Sequence, residues 1–142
     1  MRILGLDVGE KTVGVAVSDP LGITAQGITT IERVGIRKDT GKVIDYIKEY
    51  DCDTVVIGLP LSLDGTDSIQ TEKVREFRRM LENKLKSSGP LSKVVVVWQD
   101  ERFTTKIAER AMIEADLSRE KRKKIIDRPA AVIILQSYLD SR

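Results

Sequence analysis

Apolar and polar positions follow different periods along this chain, and each period predicts its own element. Residues 3–9 and 13–19 are short runs rich in β-branched side chains, separated by Glu10, Lys11 and Thr12, and they predict an opening β-hairpin. Pro20, Leu21 and Gly22 turn the chain into a shorter third strand at 27–31, which makes the opening an antiparallel meander. Over 39–50 the period changes. Val43, Ile44, Ile47 and Tyr50 recur at helical spacing with Lys and Glu opposite them. Residues 54–60 form a continuous apolar run, as expected of a strand buried on both faces, and the loop after Pro60 carries a clear turn signal at Asp64, Gly65 and Thr66.

A long amphipathic helix is predicted over 66–85, with Ile69, Val74, Phe77, Met80, Leu81 and Leu85 inward and Ser87 to Pro90 as its stop. A second buried strand is predicted at 93–98. Thr104 then N-caps a helix with Ile107, Ala108, Ala111 and Met112 on one face. Residues 118–124 are polar and strongly basic. A final helix is predicted over 127–139, with Pro129 in its first turn and Ala130, Ile133, Ile134 and Tyr138 inward. The order β-β-β-α-β-α-β-α-α describes an α/β protein with a mixed sheet and helices on its faces. No repeat or linker divides the 142 residues, a length that suits one domain, 1–142.

Composition narrows the chemistry more by what is missing than by what is present. The chain has no histidine and one cysteine, Cys52. Ser-His-Asp triads, Cys-His nucleophiles and His- or Cys-based zinc sites are therefore excluded, and Cys52, set before an apolar strand, reads as structural. Catalysis would fall to carboxylates, Lys, Arg, hydroxyls or a hard metal held by oxygens, which for Asp and Glu means Mg²⁺ or Mn²⁺. A net charge of +2 suggests acidic partners only weakly. The lack of a signal peptide or a membrane-length apolar run points to a cytoplasmic protein.

Asp7 interrupts the first apolar run. A buried carboxylate costs several kcal/mol unless a donor or cation offsets it. Gly5 and Gly9 share its strand face by the two-residue alternation, leaving open backbone on either side of it. Asp7 therefore reads either as a ligand or as the residue closing the turn at Gly9, Glu10 and Lys11. Ligands in α/β sheets gather at the carboxyl ends of parallel strands. Asp100 and Glu101 end the last strand, and Asp127 opens the last helix, where Ala130 and Ala131 are small enough for close packing on the sheet.

Three carboxylates on one edge, without histidine, match a two-metal phosphoryl-transfer site. Strand alternation points Asp100 and Glu101 to opposite faces; Glu101 is taken as the metal ligand and Asp100 as a structural partner. Asp127 reads equally as a helix cap, and Glu101 as the partner of Arg102. The run Arg119, Lys121, Arg122, Lys123 and Lys124 is either a solvated loop or a phosphate clamp beside the acids, with Arg102, Lys106 and Arg110 extending it along one helix.

Leu6-Asp7-Val8-Gly9-x-Lys11-Thr12-x-Gly14-Val15-Ala16-x-Ser18-Asp19 resembles the opening motif of the YqgF/RuvX family. Val56 to Pro60 with Asp64-Gly65-Thr66 is similar to its second block. Asp100 to Thr105, and Asp127-x-x-Ala130-Ala131 through Leu139, are similar to its third and fourth, with Pro129 a mild departure. The resemblance spans the chain in order. It implies a ribonuclease H-like fold, a mixed five-stranded sheet (β-β-β-α-β-α-β-α), related to RuvC-type junction resolvases. It further implies a metal-dependent nuclease whose acids are Asp7, Glu101 and Asp127 and whose nucleic-acid contacts include Lys11. Family members are described as nucleases maturing the 5′ end of precursor 16S ribosomal RNA, the reading favoured here, or as Holliday junction resolvases. Monomer and homodimer both remain open. One rival is a ribonuclease H-like module that binds RNA without cutting it. Another is the actin/sugar-kinase superfold, which needs two lobes where this chain supplies one.

Overall fold

The computed structural model describes residues 1–60, 68–100 and 129–142. Its elements are β1 (Arg2–Val8), β2 (Thr12–Ser18), β3 (Ala25–Glu32), α1 (Ile36–Glu49), β4 (Cys52–Leu59), α2 (Ile69–Lys86), a short 3₁₀ turn (Gly89–Lys93), β5 (Val95–Asp100) and α3 (Ala130–Asp140). The predicted loop after Pro60 and the helix capped by Thr104 lie outside the described residues.

The five strands form one sheet in the order β3-β2-β1-β4-β5. Two hairpin pairings, β1 with β2 and β2 with β3, are antiparallel, while β1 with β4 and β4 with β5 are parallel across helical connections. Central strands must satisfy both faces. Val55, Val56 and Ile57 of β4 accordingly have no exposed surface.

Two apolar clusters sandwich the sheet. Leu4, Leu6, Val8, Val13, Val15, Val55 and Ile57 face α1 and α2, whose Val43, Ile47, Val74, Phe77 and Leu81 fill that layer. Ile3, Ala16 and Val56 face α3 through Ala131, Ile134, Leu135 and Leu139. Gln136 ties α3 to the β2–β3 turn: its Oε1 accepts from the Ala25 N–H at 2.9 Å, and its Nε2 donates to the Ile23 carbonyl at 2.9 Å.

Three predicted helix details differ. The inward stripe of α3 is Ala131, Val132, Ile134, Leu135 and Leu139; Ala130 is exposed, and Ile133 and Tyr138 are half-buried. So many apolar neighbours leave the phase of the helix open in the sequence, and close approach to the sheet selects it. Pro129 is the N-cap, with ψ of 138°, rather than a first-turn residue. In α2, Ser68 and Thr71 form a capping box, and the Thr71 hydroxyl donates to the Pro60 carbonyl at 2.6 Å. That cap buries Thr71 and turns Ile69 out, 79% exposed, while Met80 is half-buried. The last strand begins two residues later than predicted because residues 89–93 are taken up by the 3₁₀ turn.

Close packing of α3 depends on Gly5. A Cβ built there would lie 2.7 Å from the Leu135 Cβ and 3.2 Å from the Ala131 carbonyl. Gly5→Ala is expected to destabilise the fold by about 1–3 kcal/mol, the usual cost of overpacking, read as a lower urea midpoint at constant slope.

Cys52 is buried and structural, as expected. Loss of solvation pushes its thiol up to about 12. A thiol reagent at neutral pH is expected to leave Cys52 untouched in the native protein and to label it once urea unfolds the chain.

Candidate functional site

β1, β4 and β5 are parallel, so their carboxyl ends share one edge of the sheet, and Asp7 and Asp100 both stand there. Asp7 lies one residue from the end of β1. It is half-buried, less enclosed than its apolar flanks implied, because its face of the strand is lined by glycine. Its ladder partner on β2 is Gly14. Continuing the pairing of Leu6 with Ile57 by one residue places Gly58 on its other side. A Cβ at Gly14 would come within 3.6 Å of the Asp7 Cβ and 3.4 Å of the Ala131 Cβ. With glycine at these positions no side chain flanks Asp7 within the sheet on the β2 side, and α3 closes over the row.

The direction of α3 follows from the same contacts. Ala131 sits over Gly14 and Leu135 over Gly5, so the helix starts at the Asp7 end of the sheet and runs back along it. Asp100 belongs to the face of Val96 and Trp98, which pack against the α1/α2 layer, whereas Asp7 shares the face of Ile3 and Gly5. Glu101, Asp127, Arg102, Arg119, Lys121, Arg122, Lys123 and Lys124 lie outside the described residues, as do Lys106 and Arg110. Among the described residues no group of three acidic or cysteine side chains gathers, and no helix is long and apolar enough to cross a membrane.

Lys11 occupies the turn between β1 and β2, exposed at the same edge. The turn is closed by the Gly9 N–H donating to the Thr12 carbonyl at 2.8 Å. Arg33 then braces it: its N–H donates to the Lys11 carbonyl at 2.9 Å and its Nη1 to the Gly9 carbonyl at 3.0 Å. The same guanidinium lies over the Phe77 ring and donates through Nε to Asp39 Oδ2 at 3.0 Å. Asp39 has no exposed surface. Burial alone pushes its carboxyl up, but the Val34 and Gly35 N–H groups and the Arg33 charge overcome this and hold it below the ordinary range. From α2, Gln70 Nε2 donates to the Val8 carbonyl at 3.1 Å, fixing the backbone next to Asp7.

Sequence reasoning missed Arg33, Asp39 and Gln70. Nothing in their local pattern separates them from surface residues; only the topology brings them under the hairpin turn. Asp19, left as a turn residue, is one: its Oδ1 accepts from the Thr24 and Ile23 N–H groups at 2.8 and 2.7 Å, and those donors lower its pKa.

The sheet order and the helices on its two faces define a ribonuclease H-like fold of the RuvC type. Thermus thermophilus RuvC superposes with a TM-score of 0.62 at 15% identity, covering 100% of this chain and 96% of that one. The same organism's RuvC in complex with a Holliday junction substrate gives 0.56 at 16% identity, covering 100% and 95%. At such identities the likeness is one of fold.

Sequence makes the assignment narrower. The family described as "RuvX: Holliday junction resolvase" matches residues 1–141, and the chain belongs to it. A Clostridium tetani protein named "Putative pre-16S rRNA nuclease" is 53% identical over 141 residues, 99% of this chain and 97% of that one. The family resemblance read from the four motifs is thereby borne out.

Proposed function

We propose that this protein is a divalent-metal-dependent nuclease that hydrolyses phosphodiester bonds of precursor 16S ribosomal RNA in the cytoplasm. One observation carries the reading: Asp7, flanked by glycine on its sheet face, stands at the edge where β5 ends and α3 begins. The name of the Clostridium tetani relative supports the RNA substrate.

A carboxylate at the carboxyl edge of the parallel strands suits a hard cation that takes oxygen ligands and keeps part of its water shell. Asp7, Glu101 and Asp127 would hold Mg²⁺ or Mn²⁺. Such ions, when bound, supply Lewis acidity and an activated water for in-line displacement. The chain's own residues do the rest. Glu101 directly follows Asp100, the last residue of β5, at the edge that carries Asp7. Asp127 precedes by three residues a helix that starts over the Asp7 row. Lys11 at the turn, with Arg102, Arg119, Lys121, Arg122, Lys123 and Lys124, would neutralise phosphates flanking the scissile one.

The second reading, cleavage of four-way DNA, is favoured by the family's description and by the RuvC complex with its junction. The test is cleavage of end-labelled precursor 16S RNA and of a four-way junction, with Mg²⁺ or Mn²⁺ and with chelator. RNA cut only with metal supports the proposal. A cut junction and intact RNA would transfer the assignment to resolution. Binding of RNA without cleavage of either would make the protein an assembly module.

A further inference from the structure

On the opposite side of β5 from the Asp7 face, α2 and the strand enclose a groove of about 370 Å³. It is lined by Arg75, Arg78, Arg79 and Lys86 from α2 and by Trp98 from β5, with Glu82 and Asn83 between them. Four cationic side chains against one carboxylate leave a balance of 4 − 1 = +3 in the lining. That exceeds the +2 carried by the whole chain, so basic charge is concentrated here.

The groove is built rather than incidental. Arg78 is fixed by three contacts: Nε to Glu82 Oε1 at 2.8 Å, Nη2 to the Val96 carbonyl at 2.9 Å, and its guanidinium 4.7 Å from the Trp98 ring centre. Arg75 lies 5.9 Å from the same ring. Fixed in this way, Arg78 and Trp98 form a floor, and Glu82, the one acidic residue of the lining, is occupied by it. Arg79 and Lys86 stand exposed above that floor. From Arg75 to Lys86 the α-helical rise spans roughly 16 Å, at 1.5 Å per residue. That length accommodates a short run of nucleotides, enough for Arg79 and Lys86 to meet separate phosphates. The Trp98 end lies two residues from Asp100, so the groove opens at the edge that carries the candidate site.

We infer that this α2–β5 groove is a second binding site, taking the phosphodiester backbone of a single-stranded RNA segment flanking the cleaved one. Arg79 and Lys86 meet its phosphates, and Arg75, Arg78 and Trp98 form the rigid floor. The choice of RNA as the polyanion rests on the nuclease reading above.

Trp98 is the chain's only tryptophan, so its emission reports on the groove without reference to catalysis. A short oligouridylate is titrated into the full chain, with chelator present so that nothing is cut, while tryptophan emission is followed at several salt concentrations. Saturable quenching is expected. The double variant Arg79→Gln, Lys86→Gln changes two exposed helix positions to a good helix former. It is expected to weaken binding about tenfold or more and to reduce the slope of log K on log salt by about 1.4, at roughly 0.7 per phosphate contact. Unchanged emission, or a double variant that titrates like wild type, overturns the groove and leaves the nuclease reading standing. Conversely, a groove that binds as described in a protein whose Asp7→Asn variant still cuts RNA at the wild-type rate supports the groove and removes the carboxylate site.

Discussion

Asp7→Asn is expected to lower the single-turnover rate of metal-dependent RNA cleavage by about a thousandfold while leaving the fold intact. Asparagine keeps the shape of the side chain and one carbonyl oxygen, and it removes the charge. The charge stabilisation that metal ions provide in a phosphoryl-transfer transition state is worth several kcal/mol. At 1.36 kcal/mol per factor of ten, a loss of about 4 kcal/mol is a thousandfold. Stability should change little, because Asp7 is half-buried and asparagine keeps its size and an accepting oxygen. The rates are compared at saturating Mg²⁺ and Mn²⁺, alongside thermal unfolding of both proteins. A variant within tenfold of wild type would take Asp7 out of the site.

The second large effect belongs to a residue remote from the chemistry. Asp39→Ala removes the buried partner of Arg33 and the acceptor of the Val34 and Gly35 N–H groups. Breaking a buried ion pair by deleting one member costs about 3–5 kcal/mol. The Arg33 side chain remains 19% exposed and can recover some hydration, which places the expected loss near the lower figure, about 3 kcal/mol. Urea unfolding at neutral pH measures it.

The acid limb gives an independent check. The carboxyl of Asp39 is held below its ordinary value of 3.8 in the folded state, so its contribution is complete above that pH and disappears as pH falls through the lower, folded value. Wild type should therefore lose this part of its stability as pH falls below about 4. In the variant this part of the slope should be absent, and the two stability curves should draw closer in acid. Curves that stay parallel would show that the pair contributes through packing alone.

Much of this architecture is visible in the chain before any coordinates, and the parts that are not share a physical reason. β1, β2 and β4 are legible because β-branched runs bounded by glycine or proline have few alternatives. The helical face of α1 is legible because Val43, Ile44 and Ile47 stand against charged neighbours. In α3, a run of consecutive apolar residues offers several equally greasy faces; the glycines at positions 5 and 14 choose among them, a decision made between segments over a hundred residues apart. Asp7 announces itself by interrupting an apolar strand. Arg33 and Asp39 do not, since an arginine and an aspartate six residues apart look like any solvated pair until the Phe77 ring and the hairpin turn close over them. Trp98 and the arginines of α2 escape notice for the same reason. Periodicity assigns the helix its apolar side and is silent on what its polar side faces.

The order in which these pieces leave the ribosome has its own consequence. β1, the strand that bears Asp7, is made first, yet it ends as the centre of the sheet, and its α3-facing side is closed by residues 130–140, made more than a hundred residues later. Until then a nascent chain can assemble the meander, α1 and α2 while Ile3, Ala16 and Val56 lack the helix they pack against. Such a half-sealed sheet is a surface that chaperones hold and that aggregation exploits. α3, translated after all five strands, therefore supplies its apolar layer and the roof over the Asp7 row in the same step.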